Sequence, residues 1–68
     1  MKVFQENLIE LRKRNNLTQK AMANSLGITQ PSYIRYENGT AEPTQQTLVK
    51  IADLFDVSID FLLGRKDI

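Results

Sequence analysis

The stretch QKAMANSLGITQPSYIRYEN, residues 19–38, decides the fold. Its first eight residues, Gln19 to Leu26, predict a short helix that begins after the N-cap Thr18. Its apolar residues recur at helical spacing and form one buried stripe: Met22, Ala23 and Leu26. Gly27 ends this helix, because glycine adopts a positive φ without a Cβ penalty and lets the chain turn sharply.

A second helix follows directly after this turn. Thr29 is its predicted N-cap, and Pro31 falls in the first turn, where the missing backbone N–H costs nothing. We expect this helix to run to about Glu37, with Asn38-Gly39 ending it. Residues 19–38 therefore predict two short helices joined by a tight turn.

Amphipathic helices flank this pair on both sides. The preceding helix buries Phe4, Leu8 and Leu11 and fades near Asn15-Asn16. After a loop over residues 40–43, Thr44 caps a fourth helix, whose apolar residues follow the i, i+3, i+4, i+7 pattern: Leu48, Ile51, Ala52 and Phe55. Ser58 starts a short last helix that Gly64 ends, and we expect the tail Arg65 to Ile68 to fray. The pattern predicts no strand.

The composition fits one domain over residues 1–68. A chain of 68 residues has no apolar material to spare for a second core. It contains no Cys and no His, which excludes disulfides, typical zinc sites and imidazole catalysis. An enzyme is poorly supported for this reason, and because no close pair of carboxylates lies in an obvious cleft. We therefore expect neither a cofactor nor a metal.

The hydropathy pattern predicts a cytoplasmic protein without a membrane partner. No run approaches the roughly 20 apolar residues that span a bilayer. The segment from Met1 to Asn16 carries Glu6 and Glu10, so it lacks the continuous apolar stretch of a secretory signal.

The charges divide unevenly along the chain. The net charge is only +1, but six Lys or Arg face three Glu through residue 40, and three face five acidic residues thereafter. A basic half joined to an acidic half suits a protein that presents one face to phosphates. A scatter of solvated charges also produces such an imbalance, so this feature decides little.

The second helix of such a pair can enter the DNA major groove, which is about 12 Å wide. To do so, it needs one face that carries groups able to contact base edges, and five residues are candidates: Thr29, Gln30, Pro31, Ile34 and Arg35. Gln pairs bidentately with adenine, Arg pairs with guanine, and Ile34 can meet a thymine methyl. Tyr33 and Tyr36 fall on the opposite side, and we expect them to pack inward.

Several markers together resemble one known family over nearly the whole chain. The run TQKAMANSLGITQPSYIRYENG, a Pro-containing loop and LVKIADLFDVSIDFLLG are similar to the lambdoid repressor and Cro class of helix-turn-helix proteins, also called the XRE family. The resemblance implies an all-α, five-helix, lambda-repressor-like domain with the helix-turn-helix at helices two and three. It also implies a sequence-specific transcriptional regulator, a repressor by expectation, that binds double-stranded DNA.

The resemblance also implies a role for individual residues. Gln19 looks like the family residue that hydrogen-bonds a phosphate and braces a Gln of the recognition helix. Gln30 lies at the family's main base-contacting position, and Pro31 and Arg35 occupy the neighbouring ones. Asn38 is similar to the family Asn that donates to a phosphate from the loop after helix three.

Arg12 and Glu37 match a family pair that forms an interior salt bridge between helix one and the end of helix three. We expect this pair to position Asn38 without contacting bases.

The chain departs from the family pattern at four positions. Tyr33 stands where a β-branched aliphatic is usual, so it is either accommodated in the core or turned outward with its hydroxyl near a phosphate. Ile34 stands where a small polar residue is common, and Pro31 removes a side-chain hydrogen bond from the same face. Glu42 lies in a loop that is often basic, which predicts fewer phosphate contacts and a modest salt dependence.

Each candidate DNA contact also has a purely structural alternative. Gln30 can be an ordinary polar residue of a first helical turn, and Arg35 can be a solvated surface residue. Gln19 can be a helix residue without a specific contact. Asn38 can act as a C-cap in its Asn-Gly pair.

Two assemblies remain open from the sequence. One recognition helix covers few base pairs, so members of this class usually bind two half-sites about one helical turn apart as a symmetric dimer. Helix five and its flanks are the candidate homodimer interface. The alternative is an antitoxin-like protein-interaction module with autoregulatory DNA binding. An exposed apolar patch on helix five, at Ile59 and Phe61, would serve either a toxin or a second copy of the chain.

Overall fold

The computed structural model describes residues 2–65, and within that range the chain forms five α-helices and no strand. The helices are α1 (Lys2–Arg14), α2 (Gln19–Leu26), α3 (Gln30–Asn38), α4 (Gln45–Phe55) and α5 (Ile59–Leu62). The all-α prediction is therefore confirmed. Of the tail expected to fray, residues 66–68 lie outside the described residues, as does Met1.

Hydroxyl N-caps begin four of the helices, at the positions that the sequence predicts. In each case the side-chain oxygen accepts a hydrogen bond from the backbone N–H three residues further on, which satisfies one of the free donors at the helix start: Thr18, Thr29, Thr44 and Ser58. The last helix is shorter than predicted, because it ends at Leu62 and the turn residue Leu63 separates it from Gly64.

The core lies where all five helices meet. Its largest fully buried side chains come from every helix: Tyr33, Phe4, Leu8, Met22, Ile51 and Leu62. The α2 and α3 helices pack most extensively against each other, and α1 contacts both α3 and α5. The α1 and α2 helices therefore pack against one side of α3, and its other side faces solvent.

The predicted exposed patch on the last helix is wrong. Ile59 and Phe61 are half-buried and pack against the core. The reason is that α5 lies against α1, where the Asn7 amide donates to the carbonyl oxygens of Phe61 at 2.9 Å and Leu62 at 3.2 Å.

The exposed large apolar side chains are instead Val3, Val49 and Leu54, on α1 and α4. Over residues 2–65 no helix has both the length and the apolar character to cross a membrane.

Candidate nucleic-acid interface

A tight turn at Gly27 sets α3 across α2. Gly27 has φ +70° and ψ +30°, in the left-handed region, and its N–H donates back to α2. The next residue, Ile28, donates its N–H to the carbonyl of Ala23 at 3.0 Å. Ala23 is itself buried at the junction, so a small side chain stands where the turn folds back onto α2.

The outward face of α3 carries the residues predicted to contact bases. Gln30, Pro31 and Arg35 are exposed, and Ile34 beside them is half-buried. At helical spacing these four positions share one side of α3, while Tyr33 lies on the other side in the core. The structure therefore brings the amide, the guanidinium and an apolar group together on one solvent-facing surface.

Thr29 is the N-cap of α3. Its hydroxyl oxygen accepts from the Ser32 N–H at 3.2 Å, and the hydroxyl donates to the Ser32 Oγ at 2.9 Å. The side chain is exposed, but its hydrogen bonds are used locally. Thr29 therefore fixes where α3 begins and places Gln30 as its first residue.

A buried carboxylate, Glu37, gathers donors from three helices. Arg12 Nε lies 2.6 Å from Oε2 and Arg12 Nη2 lies 3.2 Å from Oε1, so the ion pair is bidentate. Gln19 Nε2 donates to Oε1 at 3.1 Å, and the Tyr33 hydroxyl donates to Oε2. Arg12 also donates to the carbonyl of Leu17 at 3.0 Å. One carboxylate thus ties α1, the start of α2 and the end of α3 together.

The charge states of this network follow from its contacts. Burial disfavours the charged carboxylate, but hydrogen bonds from Arg12, Tyr33 and Gln19 outweigh it and hold the pKa of Glu37 below its ordinary value. Burial, together with the hydrogen bond to Glu37, raises the pKa of the Tyr33 hydroxyl well above its usual value. The hydrogen bond to Glu37 also raises the pKa of Arg12. The carboxylate is therefore ionised and the phenol neutral at pH 7.

Gln19 differs from one expectation drawn from the resemblance, and Tyr33 follows an alternative that the sequence had left open. Gln19 donates to Glu37 rather than to Gln30, because its amide at the start of α2 faces the carboxylate at the end of α3. Tyr33 follows the first of its two alternatives, since its ring is fully buried and its hydroxyl points inward. The signal for this contact was present in the sequence, because Tyr33 and Glu37 are four residues apart on one helix face.

The end of α3 carries Asn38 on the surface. Asn38 is the last residue of the helix and is exposed, while Gly39 takes the left-handed capping position with φ +80°. The C-cap role considered for Asn38 therefore belongs to Gly39. Behind this end, the amide of Gln5 on α1 donates to the carbonyl oxygen of Glu37 at 3.4 Å. No sequence pattern pointed to Gln5, because that contact joins residues 32 positions apart.

This arrangement defines a class of protein: a helix-turn-helix domain, with a second helix braced from behind and polar on its free face. The helix-turn-helix family model matches residues 8–62, and the chain belongs to this family, whose lambda repressor and Cro type comprises DNA-binding transcription regulators.

Curated relatives carry names of the same kind. The uncharacterised HTH-type transcriptional regulator YqaE of Bacillus subtilis (strain 168) is 51% identical over 61 residues, which cover 90% of this chain and 53% of YqaE. The cryptic phage CTXphi transcriptional repressor RstR of Vibrio cholerae is 49% identical over 62 residues, which cover 91% of this chain and 55% of RstR. The chain thus spans about half the length of these relatives.

A solved structure shows the same fold. The P22 c2 repressor, crystallised with the synthetic operator 9T, superposes with a TM-score of 0.84 over 93% of this chain and 96% of that one, at 22% identity. The predicted five-helix, lambda-repressor-like fold is confirmed.

Proposed function

We propose that this chain is the DNA-binding part of a transcriptional regulator, a repressor, and that α3 enters the major groove of a specific operator. The observation that carries the proposal is the outward face of α3, where exposed Gln30 and Arg35 stand on a helix braced from behind by the buried Glu37 network. A rigid helix with a free polar face suits base contacts, which require fixed donors and acceptors.

The side chains of this face suit different base edges. Gln30 in the first turn can pair with adenine N6 and N7, and Arg35 can pair with guanine O6 and N7. Ile34 between them is half-buried, so part of its apolar surface remains for a thymine methyl. Pro31 offers no side-chain hydrogen bond and contributes shape. A preference for A, G and T at neighbouring positions of each half-site follows.

Phosphate contacts are proposed at the two ends of the helix pair. Gln19 begins α2 and uses one amide hydrogen for Glu37, which leaves the second for a phosphate oxygen. Asn38 ends α3 with an exposed amide next in sequence to the anchored Glu37. Such contacts position the protein on DNA without specifying sequence.

Two copies are proposed to act together on a pseudo-palindromic operator in the cytoplasm. One recognition helix covers few base pairs, and symmetric half-sites about one helical turn apart are the usual solution. The α5 helix and its flanks are the proposed interface, with only the solvent-facing parts of the half-buried Ile59 and Phe61 available for it. Sedimentation with a two-site duplex tests this: two chains per duplex is expected, and one chain per duplex contradicts it.

The deciding experiment selects bound duplexes from a random DNA pool at two salt concentrations. We expect a pseudo-palindrome to be enriched. The double variant Gln30→Ala with Arg35→Ala should lose about 1–3 kcal/mol of discrimination for each bidentate contact and keep its helical circular dichroism.

A matched control, Gln46→Ala with Lys50→Ala, removes one amide and one cation from exposed positions of α4 and should keep the wild-type preference. If the α3 double variant also keeps it, the assigned face is wrong. If the wild type enriches no sequence even at low salt, the DNA-binding proposal fails and a protein partner becomes the object of the search.

A further inference from the structure

The two oxygen atoms of Glu37 share Arg12 as a donor and differ in their second donor. Oε2 accepts from Arg12 Nε and from the Tyr33 hydroxyl, while Oε1 accepts from Arg12 Nη2 and from Gln19. The orientation of Gln19 therefore depends on where Oε1 lies. That position depends in turn on what holds Oε2.

Tyr33 is the most deeply buried of these partners. Its side chain has 0% exposure, its ring packs edge-on against Tyr36 at a centroid distance of 6.4 Å, and it lies on the same helix as Glu37. Arg12 reaches the carboxylate from α1 and is itself held by its hydrogen bond to the carbonyl of Leu17. Without the phenol, Oε2 keeps only the Arg12 donor, so the carboxylate can rotate about this contact and move the oxygen that Gln19 binds.

We propose that Tyr33 is a positioning residue for DNA binding, whose hydroxyl orients the Gln19 amide toward a DNA phosphate through the carboxylate of Glu37. This inference rests on the proposed function, because it takes Gln19 as a phosphate contact. Tyr33 itself lies in the core and does not touch DNA.

The variant Tyr33→Phe isolates the hydroxyl and keeps the ring. We expect its affinity for DNA to fall by about 2- to 30-fold, the range for residues that act through a network without touching the ligand. The fall should be equal for the selected operator and for an unrelated duplex, because a phosphate contact carries no sequence information. Tyr36→Phe is the matched control: Tyr36 is half-buried on the same helix, and its hydroxyl has no hydrogen-bond partner within residues 2–65.

A double-mutant cycle separates positioning from general loosening of the fold. In a Gln19→Ala background, Tyr33→Phe should change DNA affinity by less than about twofold, because the residue it positions is gone. Affinity is measured well below the melting temperature, so that every variant is folded. An equal loss of affinity with and without Gln19 overturns the proposal, as does full affinity in Tyr33→Phe.

A second measurement uses the free protein and needs no DNA. The side-chain amide signals of Gln19 in a ¹⁵N–¹H spectrum should shift in Tyr33→Phe and stay in place in Tyr36→Phe. If the wild type binds no DNA, the proposed function fails while these signals still report the coupling, so the two failures are distinguishable. Unchanged Gln19 signals overturn the inference. Tyr33→Phe keeps the ring that fills the core, and its helical circular dichroism checks that it is folded.

Discussion

At the scale of single residues, Glu37 combines two unfavourable conditions. It is 7% exposed, the one buried charged residue among residues 2–65, and it lies in the last turn of α3, where the helix dipole disfavours negative charge. Four donated hydrogen bonds offset both effects, and these donors come from Arg12, Gln19 and Tyr33. A buried carboxylate in this position is stable only when its three donor residues are in place. The relative positions of α1, α2 and α3 therefore depend on Glu37.

Removing the charge of Glu37 tests this link. Glu37→Gln keeps the shape but leaves Arg12 without a counter-charge, and we expect the free energy of unfolding to fall by about 3 kcal/mol. Urea denaturation measures this. The control Glu10→Gln makes the same change at an exposed position of α1 and should cost less than about 0.5 kcal/mol. Equal costs at the two positions would contradict the structural role of the ion pair.

Acid should destabilise the protein through the same group. The pKa of Glu37 in the folded chain lies below its ordinary value of 4.5, so the unfolded chain binds the proton first. The stabilisation is therefore complete above about pH 4.5 and is lost as the pH falls through the lower folded pKa. Urea midpoints between pH 7 and pH 2.5 should fall more steeply for the wild type than for Glu37→Gln. Parallel curves would exclude Glu37 as the source.

At the scale of helices, local chemistry was predictable from the residues themselves, whereas the long-range pair of Arg12 and Glu37 was expected only from the family resemblance. The N-caps Thr18, Thr29 and Thr44 were predicted because a cap needs only its own residue and the next turn of chain. The hydrogen bond of Gln19 to Glu37 spans 18 residues, so its geometry depends on how the helices pack. The burial of Phe61 was missed for the same reason, because α1 covers it.

The docking of the last turn against α1 gives an element-scale prediction. Gly27 and Gly64 have similar φ values, +70° and +78°, but a Cβ at Gly27 meets nothing within 4 Å, while one at Gly64 overlaps the Cγ1 methyl group of Val3. Gly27→Ala should therefore cost about 1–2 kcal/mol from strain alone, and Gly64→Ala about 1 kcal/mol more from the collision.

The variant Val3→Ala removes the colliding methyl groups and controls this comparison. In that background, the two alanine substitutions should cost the same in thermal unfolding. If the extra cost of Gly64→Ala persists without the valine side chain, the collision is not its cause.

At the scale of the whole molecule, the two surfaces of α3 have separate tasks. Core packing and the hydrogen bonds to Glu37 fix the inner surface. On the outer surface, the hydrogen bonds of the Thr29 cap are the contacts that stabilise the helix. The sequence predicted which residues share the outer face, because helical periodicity alone decides that. The resemblance also implied the Arg12–Glu37 pair that braces the inner face, but the hydrogen bonds that Gln19 and Tyr33 donate to the same carboxylate were not predicted.

The charge distribution makes the last prediction, which concerns salt. The net charge is only +1, and the loop after α3 carries an exposed Glu42 close in sequence to Asn38. Glu42→Lys should raise DNA affinity, and it should steepen the dependence of log K on log salt by about one for each bound chain, because each neutralised phosphate contributes roughly 0.9.

Asp53→Lys makes the same charge change on α4 and should leave the slope near the wild-type value. Titrations of one selected duplex between low and moderate salt measure both slopes. If the two variants steepen the slope equally, only the net charge matters and the loop does not approach the DNA backbone; a steeper slope in Glu42→Lys alone places that loop beside a phosphate.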